Sequence, residues 1–156
     1  MGVDMEKLTG VDSKVCFAIY NANKKFNRFY QNALSSYDLT YPQYIVMVVL
    51  WQYAPMTVRE LGSHVDLDSG TLTPLLKRLD KKGWITKERS KKDERVVNIG
   101  VTDQAKKLED DICTHVDTCF DILGMSKTQI ADSVEVIDNI LDKLDKVDTK
   151  KIKDAK

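Results

Sequence analysis

Three thiols and a run of basic residues carry the chemistry this sequence offers. Cys16 follows Asp12-Ser13, a pair suited to capping the start of a helix. In that first turn the unpaired N–H groups and the positive end of the helix dipole favour a thiolate, the nucleophilic form of cysteine. Lys14 and Lys24 add positive charge close by in sequence. At about 100° per residue, Tyr20 falls one turn along the same strip, where its hydroxyl can reach the sulfur. Tyr30 shares the strip but lies about 21 Å along the axis at 1.5 Å per residue, too far to touch Cys16 of its own helix. In an antiparallel pair of such helices it approaches Cys16 of the partner subunit instead. Cys119 sits on the apolar stripe of a later helix, whereas Cys113 points roughly 100° away from Ile112 on the same count. Plain burial is the competing role for all three thiols. An odd number of cysteines argues against a disulfide framework. His64 and His115 are too scattered for a metal site, and there is no phosphate loop, nucleophile elbow or paired catalytic carboxylate. No cofactor and no enzymatic turnover are expected.

The second chemical feature is charge. Between Lys77 and Arg95 stand nine basic residues (Lys77, Arg78, Lys81, Lys82, Lys87, Arg89, Lys91, Lys92, Arg95) against four acidic ones (Asp80, Glu88, Asp93, Glu94). The whole chain balances 24 Lys and Arg against 24 Asp and Glu. Such neutrality excludes a general nucleic-acid coat, while a confined basic face suits binding to phosphate.

The elements that position these groups follow from pattern. Residues 56–101 read as a winged helix-turn-helix: a short helix from Thr57 to Val65, a tight turn at Asp66-Leu67-Asp68, a longer helix from Ser69 to Lys82, then a two-stranded ribbon. Thr57 with Glu60 forms a capping box, Asp68-Ser69 caps the second helix, and Gly83 suits the left-handed residue after its end. Leu72, Leu75, Leu76 and Leu79 make its apolar stripe, leaving Thr71, Thr73, Lys77 and Arg78 on other faces. Pro74, six residues in, is expected to loosen the first turn. Trp84–Glu88 and Val96–Val101 are the strands, with Ser90–Arg95 as a charged loop.

Around this module the chain reads as helices, within a single domain spanning 1–156. A long first helix runs to about Ser36, striped by Val15, Ile19, Ala22, Phe26, Phe29 and Ala33. Pro42 opens a second helix ending near Tyr53, apolar all round and so expected to be the buried centre. Thr102 caps a helix through Leu123, and Ser126 starts a last helix to about Val147, followed by a fraying Lys-rich tail. The stripe Ala105, Leu108, Ile112, Val116, Cys119, Leu123 and the stripe Ile130, Val134, Ile137, Leu141, Leu144 exceed what one small winged module can cover. A homodimer follows as the expectation, with helices 10–36 and 102–148 interlocking and two recognition helices reading an inverted repeat. No run of eighteen apolar residues and no signal-peptide pattern occur, so no membrane partner and a cytoplasmic location are expected.

The wing Lys91-Lys92-Asp93-Glu94-Arg95-Val96-Val97 resembles the Asp-x-Arg signature of the MarR family of winged-helix repressors, and the likeness extends over nearly the whole chain. More narrowly, Val15-Cys16-Phe17-Ala18-Ile19-Tyr20, Leu39-Thr40-Tyr41-Pro42-Gln43-Tyr44 and Leu67-Asp68-Ser69-Gly70-Thr71-Leu72-Thr73-Pro74-Leu75-Leu76 are similar to its OhrR branch of peroxide-sensing repressors. Pro74 belongs to that family pattern. The resemblance implies that Cys16 is the peroxide-reactive thiolate, with Tyr30 and Tyr41 of the partner subunit hydrogen-bonding to it and Tyr20 nearby. It implies a resolving cysteine on the penultimate helix, where Cys119 stands; Cys113 matches no family role. It also places Arg95 in the minor groove with Asp93 bracing its guanidinium.

The resulting expectation is a mainly α protein with a small β wing that binds an operator through Ser69, Thr71, Thr73, Lys77, Arg78, Lys91, Lys92, Asp93 and Arg95. An organic hydroperoxide, entering a seam beside Phe17 and Met47, oxidises Cys16, and an intersubunit disulfide with Cys119 releases the DNA. The alternative is a repressor of the same family released by reversible binding of a small phenolic or lipophilic ligand.

Overall fold

The computed structural model of the chain describes residues 14–90, 93 and 95–154. They fall into two compact units, divided between Asp117 and Thr118.

Helix α1 (Val15–Ala33) opens at Lys14, an extended N-cap that makes no side-chain cap bond. Asp12 and Ser13, read as the cap, lie outside the described residues; with Lys14 in that role, Cys16 is the second helical residue. The helix ends at Ala33, short of Ser36, because the chain tightens into a 3-10 turn at Ser35–Tyr37 and then takes a left-handed residue, Asp38. Two bonds from the later helix hold this turn. The Tyr37 hydroxyl donates to Asp111 Oδ2 at 2.8 Å, and His115 Nε2 lies 3.0 Å from the Ala33 carbonyl oxygen.

Helix α2 (Tyr41–Tyr53) starts from a capping box between Thr40 and Gln43, with Pro42 in the first turn. It packs against α3 and β3, so one face is closed while Ile45 and Val48 each keep 37% exposure. The expectation of burial on every side is corrected to burial on one. Met47 belongs to the closed face and is fully buried, so it cannot line an open seam beside Phe17.

Strand β1 (Met56–Thr57) is an element the sequence did not announce. It pairs antiparallel with β3 (Val97–Val101), Met56 opposite Ile99, and β3 pairs on its other side with β2 (Ile85–Arg89), Ile85 opposite Val101. The expected two-stranded ribbon is a three-stranded sheet in the order β1-β3-β2. A two-residue strand carries no periodicity to read; only the neighbouring β3 edge makes it one.

Thr57 then caps α3 (Val58–Val65), its hydroxyl oxygen accepting the Glu60 N–H while Glu60 accepts the Thr57 N–H at 2.7 Å. Asp66 is left-handed, and α4 (Ser69–Lys81) begins under Asp68, which accepts the Thr71 N–H at 2.9 Å. Pro74 lies inside α4, which runs unbroken past it. Behind α4, Gly83 (φ 76°) lets the chain reverse: its N–H donates to Asp80 O and that of Trp84 to Leu79 O, the two bonds of a Schellman motif. The Thr102 hydroxyl donates to the Gly83 carbonyl at 2.8 Å and accepts the Ala105 N–H, starting α5 (Asp103–Asp121) against the end of α4.

The core sits within the first unit, where Leu34, Val46, Met47, Leu50, Leu61, Leu72, Leu79, Ile99 and Ile112 are closed to solvent. The second unit contains α6 (Lys127–Asp145), capped by Ser126 with Gln129, and α7 (Thr149–Asp154). The expected fraying tail is helical over those last residues. None of the residues of α6 is buried, and its stripe is open, Val134 at 52% and Leu144 at 61%. Among the described residues no helix is long and apolar enough to cross a membrane.

The α3–α4 crossing leaves no room for a side chain at Gly62, where an added Cβ would stand 2.8 Å from the Leu67 carbonyl oxygen. That atom is backbone, and Leu67 N–H is itself bonded to Gly62 O, so the turn must shift to admit it. Gly62→Ala should therefore lower stability in urea by about 1–3 kcal/mol and weaken DNA binding with it; unchanged stability would show the turn to be slack.

Candidate nucleic-acid interface and thiol groups

The turn before α4 aims the first residues of that helix outward. Ser69, Thr71, Thr73, Lys77 and Arg78 are all exposed, while Leu72, Leu75, Leu76 and Leu79 are buried behind them. Two of the exposed groups have local partners. The Thr71 hydroxyl donates to Asp68 Oδ2 at 3.1 Å, and Arg78 Nε donates to the Pro74 carbonyl oxygen at 3.3 Å. Thr73 and Lys77 thus project from the middle of the exposed face. The Thr71 N–H and hydroxyl hold the Asp68 carboxyl below the usual range, and those of Thr57 do the same for Glu60. Both caps are therefore charged at neutral pH, at the positive ends of α4 and α3.

On the wing, Asp93 accepts the backbone N–H of Arg95 at 3.0 Å. The brace acts on the main chain of the turn, where the expectation had put it on the guanidinium. Arg95 is exposed and shares with Arg59, Asp68, Ser69, Leu72 and Val97 the lining of a cleft of about 760 Å³ between the sheet and the start of α4. Lys91 and Lys92 lie outside the described residues. Two of the nine basic residues are engaged away from this face: Lys82 Nζ meets Asp38 Oδ2 at 3.0 Å and the Asp38 carbonyl oxygen at 2.6 Å, and Lys87 pairs with Asp80 at 3.1 Å. The charge available to phosphate is smaller than the raw excess.

The three thiols occupy three different settings, none in a disulfide. Cys16 is exposed in the first turn of α1, and Tyr20, one turn on, is exposed as well, with Lys24 Nζ 5.8 Å from its ring centre. At the far end of α1, Tyr30 stacks on Tyr41 at 4.0 Å between centroids and 8° between planes. Tyr44 stands 6.0 Å from Tyr30 between ring centroids. The two tyrosines that share a role by resemblance are thus one aromatic pair within a subunit, remote from that subunit's own Cys16 along the helix.

Cys113 is the group that helical counting misjudged. Its angle from Ile112 turns it from the α5 stripe, yet it is half-buried, with Tyr44 of α2 near enough to influence its ionisation. Burial first, then Glu109 and Asp117, push its thiol up, and Tyr44 only partly offsets them. Spacing on α5 alone carries no sign of α2, which is why the proximity escaped. Cys119, near the end of α5 in the second unit, is half-buried as well. His115 is a structural group beside Ala33 and Tyr37, and among the described residues no cluster of three or more His, Cys, Asp or Glu is placed to hold a metal ion.

Comparison with known proteins places this arrangement. Residues 28–112 match the family model described as transcriptional regulator SarA/Rot. The chain is 38% identical over 117 residues to the organic hydroperoxide resistance transcriptional regulator of Bacillus subtilis, covering 75% of this chain and 78% of that one. It is 48% identical over 99 residues to the transcriptional regulator TtmR of Methylorubrum extorquens, a match that spans 64% of this chain but only 51% of TtmR. The structure of reduced AbfR bound to DNA superposes with a TM-score of 0.75 at 31% identity, over 91% of this chain and 99% of that one; AbfR is from Staphylococcus epidermidis.

Arg95→Ala should weaken binding to double-stranded DNA and lower the slope of log K against log salt by about one phosphate contact. A slope equal to that of the unaltered protein would remove the wing from the interface.

Proposed function

The chain belongs to the MarR/SarA family of winged helix-turn-helix transcriptional regulators and is a DNA-binding regulator, and from that premise we propose that it is a homodimeric repressor switched by oxidation of Cys16. The observation that carries this reading is the position of Cys16: an exposed thiol in the first turn of α1, with the Tyr30–Tyr41 pair presented at the opposite end of the same helix. An antiparallel pairing of two α1 helices brings each thiol to the other subunit's tyrosines. Open apolar residues along α1 (Val15, Ile19, Phe26) and along α6 (Val134, Ile137, Leu141) supply the faces such a dimer would cover.

In the reduced state two α4 helices occupy successive major grooves of an inverted-repeat operator. Thr73 and Lys77 stand nearest base edges and phosphates, and Arg95 enters the flanking minor groove. The Cys16 thiolate attacks the distal oxygen of an organic hydroperoxide, breaking the O–O bond. Cys16 becomes a sulfenic acid and the peroxide leaves as its alcohol after taking up a proton. The Cys119 thiol of the partner subunit then displaces water from that sulfenic acid, forming an intersubunit disulfide. Burial and then neighbouring carboxylates push the Cys113 thiol up, which disfavours it for this step. Emptying an occupied operator takes about 5 kcal/mol of difference between states, within reach of a covalent bond that closes in only one of them.

Cys16→Ser should bind operator DNA as the parent does and no longer be released by cumene hydroperoxide. Release that persists would point instead to a reversible small ligand, phenolic or lipophilic, and end the redox reading. After oxidation a non-reducing gel should show a covalent dimer that Cys119→Ser lacks and dithiothreitol dissolves. A dimer retained in Cys119→Ser and lost in Cys113→Ser would reassign the resolving thiol.

A further inference from the structure

Arg59 is placed against the local rules of its helix. It is the second residue of α3, where the unpaired N–H groups and the positive end of the helix dipole disfavour a cation. Glu60, next in the chain, does not answer it: that carboxylate is taken up by Thr57, accepting its N–H at 2.7 Å and its hydroxyl at 2.8 Å. Among the described residues the Arg59 guanidinium enters no ion pair and no hydrogen bond, and the residue is exposed. A local rule broken with no partner inside the fold points to a partner outside it.

Location says which partner. Arg59 lines the cleft of about 760 Å³ between the sheet and the start of α4, together with Ser69 at the head of α4 and Arg95 of the wing. In a duplex the major groove and the adjacent minor groove are separated by a single sugar–phosphate strand. A protein that sets α4 in one groove and Arg95 in the other must let that strand pass between them. The space between them is this cleft.

We propose that the cleft is the channel for the sugar–phosphate strand that separates the major groove occupied by α4 from the minor groove entered by the wing, and that Arg59 is its phosphate-binding residue. The inference rests on the adjacent-groove placement proposed for α4 and Arg95 and deepens it by naming what holds the strand between them.

The charges of the lining make Arg59 necessary. Asp66 and Asp68 line the same cleft. Asp68 stays there as the α4 cap, accepting the Thr71 N–H at 2.9 Å and the Thr71 hydroxyl at 3.1 Å. With Arg59 and Arg95 present the lining is balanced; with Arg59 removed it is net negative towards a strand bearing one negative charge about every 3.4 Å. The planar guanidinium also offers paired donors that match phosphate oxygens. Such a contact carries no sequence information, so Arg59 contributes affinity and register and leaves the choice of bases to α4.

The test uses the full-length protein, a duplex that the protein itself selects from random sequences, and an unselected duplex. In Arg59→Ala the slope of log K against log salt should fall by about 0.9 on both, so that its deficit grows about 3.5-fold as salt is lowered from about 200 mM to about 50 mM. Arg59→Lys, which keeps the charge, should restore the slope. Arg59→Ala combined with Arg95→Ala should lower it about twice as far, as two independent contacts do. Ethylation interference on the selected duplex should lose, in Arg59→Ala, a phosphate lying between the major groove covered by α4 and the minor groove covered by the wing. The melting temperature of Arg59→Ala should be equal to the parent's or higher, because α3 sheds a cation from its positive end. An unchanged slope, a loss confined to the selected duplex, a lost phosphate elsewhere, or a lowered melting temperature would each overturn the role of Arg59. An unchanged slope in Arg95→Ala would instead overturn the adjacent-groove placement beneath it, whatever Arg59→Ala does; a lowered slope there with an unchanged one in Arg59→Ala strikes the channel alone.

Discussion

Burial of the leucine stripe on α4 is the interaction the rest of the molecule depends on. Leu72, Leu75, Leu76 and Leu79 are all closed to solvent, and burying four such side chains contributes roughly 6–12 kcal/mol. The net stability of a domain is only about 5–15 kcal/mol, so this one seam decides whether the module is folded. It also decides orientation. A helix pinned along one face must present the opposite one, and that is where Thr73, Lys77 and Arg78 stand. The hydrogen bonds at its ends, Asp68 ahead and the Gly83–Thr102 junction behind, are worth about 1 kcal/mol each, too little to hold the helix but enough to set where it starts and stops.

From that fixed helix a short path leads back to α1. Lys82, the residue that closes α4, donates to the carbonyl oxygen of Asp38 and pairs with its carboxylate, and Asp38 is the left-handed residue in the link after α1. Tyr37 and Ala33, on the other side of that link, are held by Asp111 and His115 of α5. The exit of the helix bearing Cys16 is thus fastened both to α4 and to α5. An exposed ion pair alone contributes little, but here it adds to a direct bond to a backbone oxygen. A rearrangement at the end of α1 therefore has a contact through which to act on α4.

Two of the three cysteines, Cys16 and Cys113, show how the same side chain takes a different setting from its surroundings. Cys16 is exposed in a first helical turn, where access and unpaired N–H groups suit reaction. Cys113 is half-buried, and burial first, then the neighbouring carboxylates, oppose its ionisation. Neither property belongs to cysteine itself. They come from what α2 and α5 bring alongside, and from how near each residue stands to a helix end.

Local rules were sufficient for much of this architecture. Caps and breakers such as Thr57 with Glu60, Asp68, Gly83 and Ser126 act over three or four residues, so their effect is written in the residues themselves, and the helix boundaries around α3, α4 and α6 could be read within a residue or two. The α4 stripe and the exposed basic face opposite it followed from helical period alone. Three features needed the folded chain, because each depends on a partner distant in sequence. β1 is a strand only through its pairing with β3, some forty residues later in the sequence. Helix α2, apolar on all sides, buries only the face that α3 and β3 happen to cover, which put Met47 in the core and left Ile45 and Val48 open. Cys113 takes its setting from Tyr44, a residue on another helix that no spacing on α5 can reveal. Periodicity tells which residues share a face; only packing tells what that face meets.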